Sequence, residues 1–123
     1  MATGYQAYQT NAIHTAPPEQ LVVMLYDGCL RFLRRAEKAA ESGQAAGVTE
    51  AIARATAIVM ELNATLDMDR GGEIAANLRS LYFFLHRHLL EASKEASPEK
   101  IRQALGLVGD LRDAFAEAAK KAA

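Results

Sequence analysis

The spacing of the large apolar residues limits this fold more than any other feature of the sequence. It repeats at steps of three and four residues in four separate segments. Ile74, Leu78, Leu81, Leu85 and Leu89 follow one another at steps of four, three, four and four. An α-helix turns once in about 3.6 residues, so such steps line one face of a helix. Leu21, Leu25, Cys29, Phe32 and Ala36 make a second stripe, Ile52, Ala55, Val59, Leu62 and Leu66 a third, and Ile101, Leu105, Val108, Leu111 and Phe115 a fourth. A half-buried strand would alternate apolar and polar residues instead, and no segment does so.

Start and stop signals separate these stripes. Pro17-Pro18 opens the first helix, because the N–H that proline lacks would go unpaired at the first helical position. That helix is expected from Pro18 to Glu41, ending at Ser42-Gly43. A second runs from near Val48 to about Asp67. Gly71-Gly72 marks a reversal, since glycine tolerates positive φ. A third helix runs from Glu73 to Ala92. Ser97-Pro98-Glu99 is a helix start with a capping hydroxyl, a proline and an acid that complements the dipole. The fourth helix ends at Lys120-Lys121, where cations suit the last turn. Short connections make neighbouring helices antiparallel. The expected fold is all-α, an antiparallel up-down-up-down four-helix bundle over residues 17–123. Residues 1–16 form an N-terminal tail, polar apart from Tyr5, Tyr8 and Ile13.

The first stripe is unusually wide. Val22, Val23, Met24, Tyr26 and Leu30 extend it past a single face, which places this helix centrally in the bundle or under a cover. The third segment also holds more apolar residues than one face needs. Leu81, Leu85 and Leu89 serve a core, so some of Tyr82, Phe83 and Phe84 face elsewhere. They either cover the edges of a wide core or line a groove for a partner's helix, as exposed apolar patches often do.

Charge and composition exclude several classes of function. The formal net charge is -1 and the pI about 6.3, without the basic excess of a nucleic-acid binder. The run Arg31, Arg34, Arg35 and Lys38 reads as a solvated helix face. A single cysteine, Cys29, rules out an intramolecular disulfide, and its apolar neighbours suit a small buried hydrophobe. The N-terminus lacks the basic-then-apolar pattern of a signal peptide. The longest apolar run, Leu21 to Tyr26, is far short of a membrane span of ~20 residues. Asn63-Ala64-Thr65 matches a glycosylation sequon, but without a leader the match carries no weight, and the cytoplasm is the simplest address.

The chain also lacks the patterns of an active site. Di-metal bundles use Glu-x-x-His pairs, whereas His86 is preceded three residues earlier by Phe83 and His88 by Leu85. His86 and His88 are two apart and point to different sides of a helix. No zinc spacing, phosphate loop or nucleophile–base pattern appears. A protein that binds another protein, with no cofactor and no metal, is the expectation.

Several motifs add to that reading. Ala7-Tyr8-Gln9 is followed by Thr15-Ala16-Pro17-Pro18 and Leu21-Val22-Val23-Met24-Leu25-Tyr26-Asp27-Gly28. Leu62-Asn63-Ala64-Thr65-Leu66-Asp67, Gly71-Gly72-Glu73-Ile74-Ala75, Asn77-Leu78, Leu81-Tyr82, Gly106-Leu107 and Leu111-Arg112-Asp113-Ala114 come after them. In this order, along nearly the whole chain, they resemble the flagellar secretion chaperone family, FliS. Pro17 replaces the family's usual capping serine, Phe115 its frequent tryptophan, and Phe84 and His88 its more usual tyrosine and arginine.

The resemblance implies a cytoplasmic export chaperone that uses no nucleotide. It would bind the C-terminal segment of flagellin, prevent premature polymerisation and deliver the subunit to the flagellar type III export gate. No nucleic acid and no stable membrane insertion are expected, and the chain would be a monomer or weak dimer. Client-facing residues are expected among the apolar positions left once each helix has given a stripe to the core. These are Tyr26, Ile58, Leu62, Tyr82, Phe83 and Leu85, of which Leu62 and Leu85 also lie on core stripes. Tyr8 and Ile13 are expected to dock the tail over part of the groove. The alternatives are a structural bundle that associates with itself through the same patch, and a regulatory adaptor of flagellar assembly.

Overall fold

A computed structural model describes residues 18–122, and the side-chain surroundings of residues 19–121. The expected tail, with Tyr8 and Ile13, and its boundary with the bundle lie outside the described residues.

Four helices follow one another: α1 Pro18–Glu41, α2 Ala45–Ala64, α3 Met68–Glu95 and α4 Pro98–Ala122. Among the described residues there is no strand. Helix α1 packs against α2 and α4, and α3 packs against the same two. Cross-contacts show the antiparallel order. On α1 and α2, the Cys29 thiol lies 3.8 Å from the Ala55 carbonyl oxygen, while Gly47 sits against Ala39 near the other end. On α1 and α4, Arg112 reaches Asp27 and Arg102 reaches Glu37.

Local chemistry accounts for the turns. Gly43 takes a left-handed φ of 69°, and the Gln44 N–H bonds back to the Ala39 carbonyl at 2.8 Å. This closes α1 where the Ser-Gly pair predicts. The Ser97 hydroxyl accepts from the Lys100 N–H at 3.1 Å, the expected cap of α4. The start of α3 differs from expectation. Asp67 caps it, accepting from the N–H groups of Asp69 and Arg70 at 3.1 and 3.0 Å, so helix begins before the glycines. Gly72 then breaks it with φ 53° and ψ -130°, a conformation open to glycine and little else. The expected reversal is therefore a kink inside α3.

The core is apolar throughout, with no buried charged or polar residue among the described residues. Helix α1 gives it Leu25, Tyr26, Cys29, Leu30, Leu33 and Ala36. Its wide apolar arc is explained by its central place, because α2 covers one flank and α4 the other. Phe32, assigned to the stripe, is only partly buried, while Leu33 is fully buried. Phe32 instead lies under three guanidiniums, those of Arg31, Arg35 and Arg54, at 5.9, 5.2 and 5.9 Å. Helix α2 buries Ile52, Ala55, Val59 and Leu62 of its expected stripe, but it starts and ends about one turn earlier than expected, so Leu66 lies beyond it in the α2–α3 turn and is partly buried. On α3 the buried face is Ala75, Tyr82, Leu85, Leu89 and Ala92. Ile74 is 73% exposed, and Leu78 and Leu81 are partly buried.

Candidate functional site

The two ends of the bundle differ in chemistry. At the end formed by the α1–α2 and α3–α4 turns, ion pairs tie α4 to its neighbours. Lys100 lies 2.6 Å from Glu95 and 3.2 Å from Glu91. Arg102 binds Glu37 and Glu41 at 2.8 and 2.9 Å. These acids hold both cations firmly protonated, through hydrogen bonds first and charge second. The His88 ring Nε2–H donates to the Lys100 carbonyl at 3.1 Å, which adds a side-chain link across the α3–α4 seam. The series continues to Arg112, 2.9 Å from Asp27.

Toward the other end, made by the start of α1, the α2–α3 turn and the end of α4, polar clamping gives way to exposed apolar surface. Helix α4 has Ile101, Ala104 and Val108 fully buried, but Leu111 and Phe115 only partly. Across the seam Leu78 and Leu81 are also partly buried. Met24, Met60, Met68 and Ile74 are exposed at this end. A cleft of about 220 Å³ opens between α1, the α2–α3 turn, α3 and α4, with Val22, Leu66, Leu78, Tyr82 and Phe115 in its walls. A second hollow of about 390 Å³ lies between Val23 and Met24 of α1 and Ala116 and Ala119 of α4. Asn63 Oδ1 at the end of α2 is buried with no hydrogen-bond partner among the described residues, an unanswered acceptor of a kind that folded proteins rarely keep.

Tyr82 lines the cleft and is paired with Tyr26 of α1. Their hydroxyls meet at 2.5 Å, with both residues buried. The Phe115 ring lies 5.4 Å from that of Tyr26, tilted by 39°. Burial raises the pKa of both phenols; the bond to Tyr82 raises that of Tyr26 further, while the same bond opposes the rise at Tyr82. Both are therefore neutral hydrogen-bonding groups. Burial also pushes the Cys29 thiol up to about 12, so it is inert. Among the described residues no three His, Cys, Asp or Glu side chains group as a metal site would need. No described helix is long and apolar enough to cross a membrane.

The structure sorts the six residues expected to face a client. Tyr26, Leu62, Tyr82 and Leu85 are buried in the free chain. Tyr26 and Tyr82 are thus part of the core rather than left over from it, because packing pairs their hydroxyls away from water. Ile58 is partly buried and lies over Gly28, where a β-carbon would come within 3.3 Å of its Cδ1. Phe83 is 41% exposed, with the Arg79 guanidinium 5.5 Å from its ring centroid. Sequence reasoning missed Leu90 and assigned Ile74 to the core stripe, yet both are exposed; Phe84, weighed with Tyr82 and Phe83 as facing away from the core, is exposed as well. At 100° per residue Phe83 and Leu90 share one flank of α3, and Ile74, Leu81 and Phe84 the other. Counting all apolar residues on α3, rather than the best single stripe, would have flagged both flanks.

Comparison with known proteins gives this surface a context. Residues 1–122 match the family model of the flagellar protein FliS. The chain is 37% identical over 114 residues to the flagellar secretion chaperone FliS of Bacillus subtilis, covering 93% of this chain and 84% of that protein. It is 36% identical over 126 residues to the flagellar secretion chaperone FliS of Salmonella typhimurium, covering 98% and 93%. A crystal structure of a bacterial flagellar chaperone shares the fold, with a TM-score of 0.79 at 20% identity and 95% of each chain covered. The chain belongs to the FliS family of flagellar secretion chaperones, a family of export chaperones and not of enzymes.

Proposed function

We propose that this chain binds the C-terminal segment of flagellin in the cytoplasm, keeps it from polymerising and hands it to the flagellar type III export gate. The observation that carries the reading is the apolar, incompletely filled seam at the open end of the bundle. There Leu78, Leu81, Leu111 and Phe115 are half-covered and Ile74 stands exposed beside them. Such a seam suits a client that lays the apolar face of a helix into a groove. A polymer subunit's disordered end folded in this way is withdrawn from filament contacts. Ordering the client costs about 2–5 kcal/mol, which keeps the complex reversible even when the groove is apolar.

Phe83, on the outer surface, is the predicted residue that a client can reach as the chain stands, while Tyr82 lies buried in the wall of the cleft. Ile58 lies at the margin, and Tyr26, Leu62 and Leu85 support the groove from beneath. Docking of the tail through Tyr8 and Ile13 belongs to the same proposal. The B. subtilis and S. typhimurium relatives carry the name flagellar secretion chaperone, which supports a flagellar client.

The test is calorimetric titration of the full chain with a peptide of the C-terminal segment of flagellin from the same organism. One-to-one binding, a negative heat-capacity change and a gain of helical circular dichroism are expected. A folded chain that binds no such peptide refutes the reading. Concentration-dependent self-association without client binding would favour a bundle that pairs with itself.

A further inference from the structure

Charge is divided unevenly between the two helices that flank the α1–α4 seam. On α1, Arg31, Arg34, Arg35 and Lys38 are all exposed and fall within about 100° of one another around the helix. On α4, the exposed Asp110, Asp113 and Glu117 share about 60°. The acids of α1 are already engaged across the seam, Asp27 by Arg112, and Glu37 and Glu41 by Arg102. Among the described residues none of Arg34, Arg35, Lys38, Asp110 and Glu117 forms an ion pair. Asp113 pairs only with its chain neighbour Arg112, at 3.4 Å. A groove of about 820 Å³ runs along the seam, with Arg31 and Arg34 on one bank and Asp113 on the other, so both stripes border one face.

The stripes cannot pair within one chain. The Asp27–Arg112 and Glu37–Arg102 bridges fix the antiparallel register. By that register Arg31 to Lys38 lie level with Val108 back to Ile101, and Asp110 to Glu117 with Cys29 back to Val22. The centres of the two stripes are therefore offset by about 13 Å along the bundle, at ~1.5 Å per residue. Cations occupy one corner of the face and acids the corner diagonally opposite.

We propose that this face pairs with the same face of a second copy, the α1 cations of each chain meeting the α4 acids of the other. A two-fold axis lying in the face and passing through the groove exchanges its diagonal corners, so the contact forms twice. Charge complementarity selects the second copy, because the missing partners of both stripes stand on the chain itself. A formal net charge of -1 leaves little overall repulsion between copies. Gly106 and Gly109 line the groove and have open space above them, which lets the helices of two copies approach. Exposed ion pairs are individually weak, so the dimer is weak and salt-sensitive. The half-covered seam between α3 and α4 is not part of this face, and the proposal stands independently of the flagellin-binding reading.

Sedimentation equilibrium of the full chain without client tests this. The wild type should pass from monomer toward dimer between ~10 μM and ~1 mM, the range of weak association. Raising sodium chloride from ~50 to ~500 mM should weaken the dimer by about tenfold or more. Two triple variants reverse the stripes in turn: Arg34→Glu, Arg35→Glu, Lys38→Glu, and Asp110→Lys, Asp113→Lys, Glu117→Lys. All six positions are exposed, and circular dichroism checks that each variant is folded. Each variant alone should dimerise at least about tenfold more weakly than the wild type, because like charges then face one another. Mixed in equal amounts the two should pair again, since acids of one meet cations of the other at both corners. A chain that stays monomeric overturns the proposal, as does a dimer that salt leaves unchanged or tightens. Variants that dimerise as the wild type does, or a mixture that fails to pair, overturn it too. Should either variant not fold, the salt titration of the wild type decides.

Discussion

Replacing Gly106 and Gly109 with alanine should make this protein more stable. Both glycines lie inside α4, neither has a positive φ, and no heavy atom comes within 4 Å of the place a β-carbon would occupy. The added methyl groups thus meet open space. Glycine in a helix interior costs about 0.5–1 kcal/mol relative to alanine, through the backbone freedom the unfolded chain keeps. As neither methyl touches a neighbour, the two effects should add to about 1–2 kcal/mol. In a chain of this size that corresponds to a rise of about 5–10 °C in Tm. Thermal melting followed by helical circular dichroism measures it directly. Urea titration should show a higher midpoint at an unchanged slope, since the surface exposed on unfolding is the same. A double variant that melts at or below the wild-type temperature would refute the reasoning. It would mean that the α4 backbone at these positions is held by a contact or a conformation that alanine cannot share.

Three further outcomes follow from the same geometry. Gly71→Ala should destabilise the chain by about 1–3 kcal/mol in a melting experiment, because its β-carbon would lie 2.6 Å from that of Ala75; the same chemical change thus has opposite signs at Gly71 and Gly106. Phe83→Asp should leave helicity intact and weaken binding of the flagellin peptide, since the ring is exposed; loss of the fold instead would identify Phe83 as a core residue. Cys29 should resist alkylation in the native chain and react once it is denatured. Its thiol pKa is raised by burial from 9.0 to about 12, so the folded state keeps a proton that the unfolded state releases above its own pKa. That contribution to stability is complete below pH 9.0 and is lost as pH rises toward 12. The buried tyrosines act in the same direction, and Cys29→Ala should flatten the alkaline fall measured by denaturant titration at successive pH values.

Helix existence was legible because it is written in local chemistry. Pro18 and the Ser42-Gly43 pair bound α1, and Ser97 caps α4 where its position before Pro98 predicts. The start of α3 was misread because two signals compete there. Gly71-Gly72 looks like the turn, but the Asp67 carboxylate captures two N–H groups first and leaves Gly72 to act as a kink. The core face of α3 was also misplaced. Hydrophobicity favours Ile74 over Ala75 and Leu81 over Tyr82, yet Ala75 and Tyr82 are buried. A small residue allows close helix approach, and a tyrosine is buried once its hydroxyl has a partner. Neither reason is visible in a single helix.

The candidate site shows the same division. Its apolar surplus on α1 and α3 is plain in the sequence, as is the absence of metal and nucleophile patterns. Which surplus residues water can reach was not, because exposure depends on how much of each flank the neighbouring helices cover. Tyr26 and Phe83 both looked supernumerary, but only Phe83 is exposed.

By itself the sequence determined that this chain forms four amphipathic helices, where the first and the last of them begin and end, and which family it resembles. All of these depend on interactions within a few residues or on ordered motifs. Only the tertiary structure decided that α1 is covered on both flanks, that two tyrosine hydroxyls meet, and that polar pairs hold one end while the other remains open. These depend on residues such as Tyr26 and Tyr82, 56 positions apart, whose contact arises from the packing of whole helices and leaves no local trace in either segment.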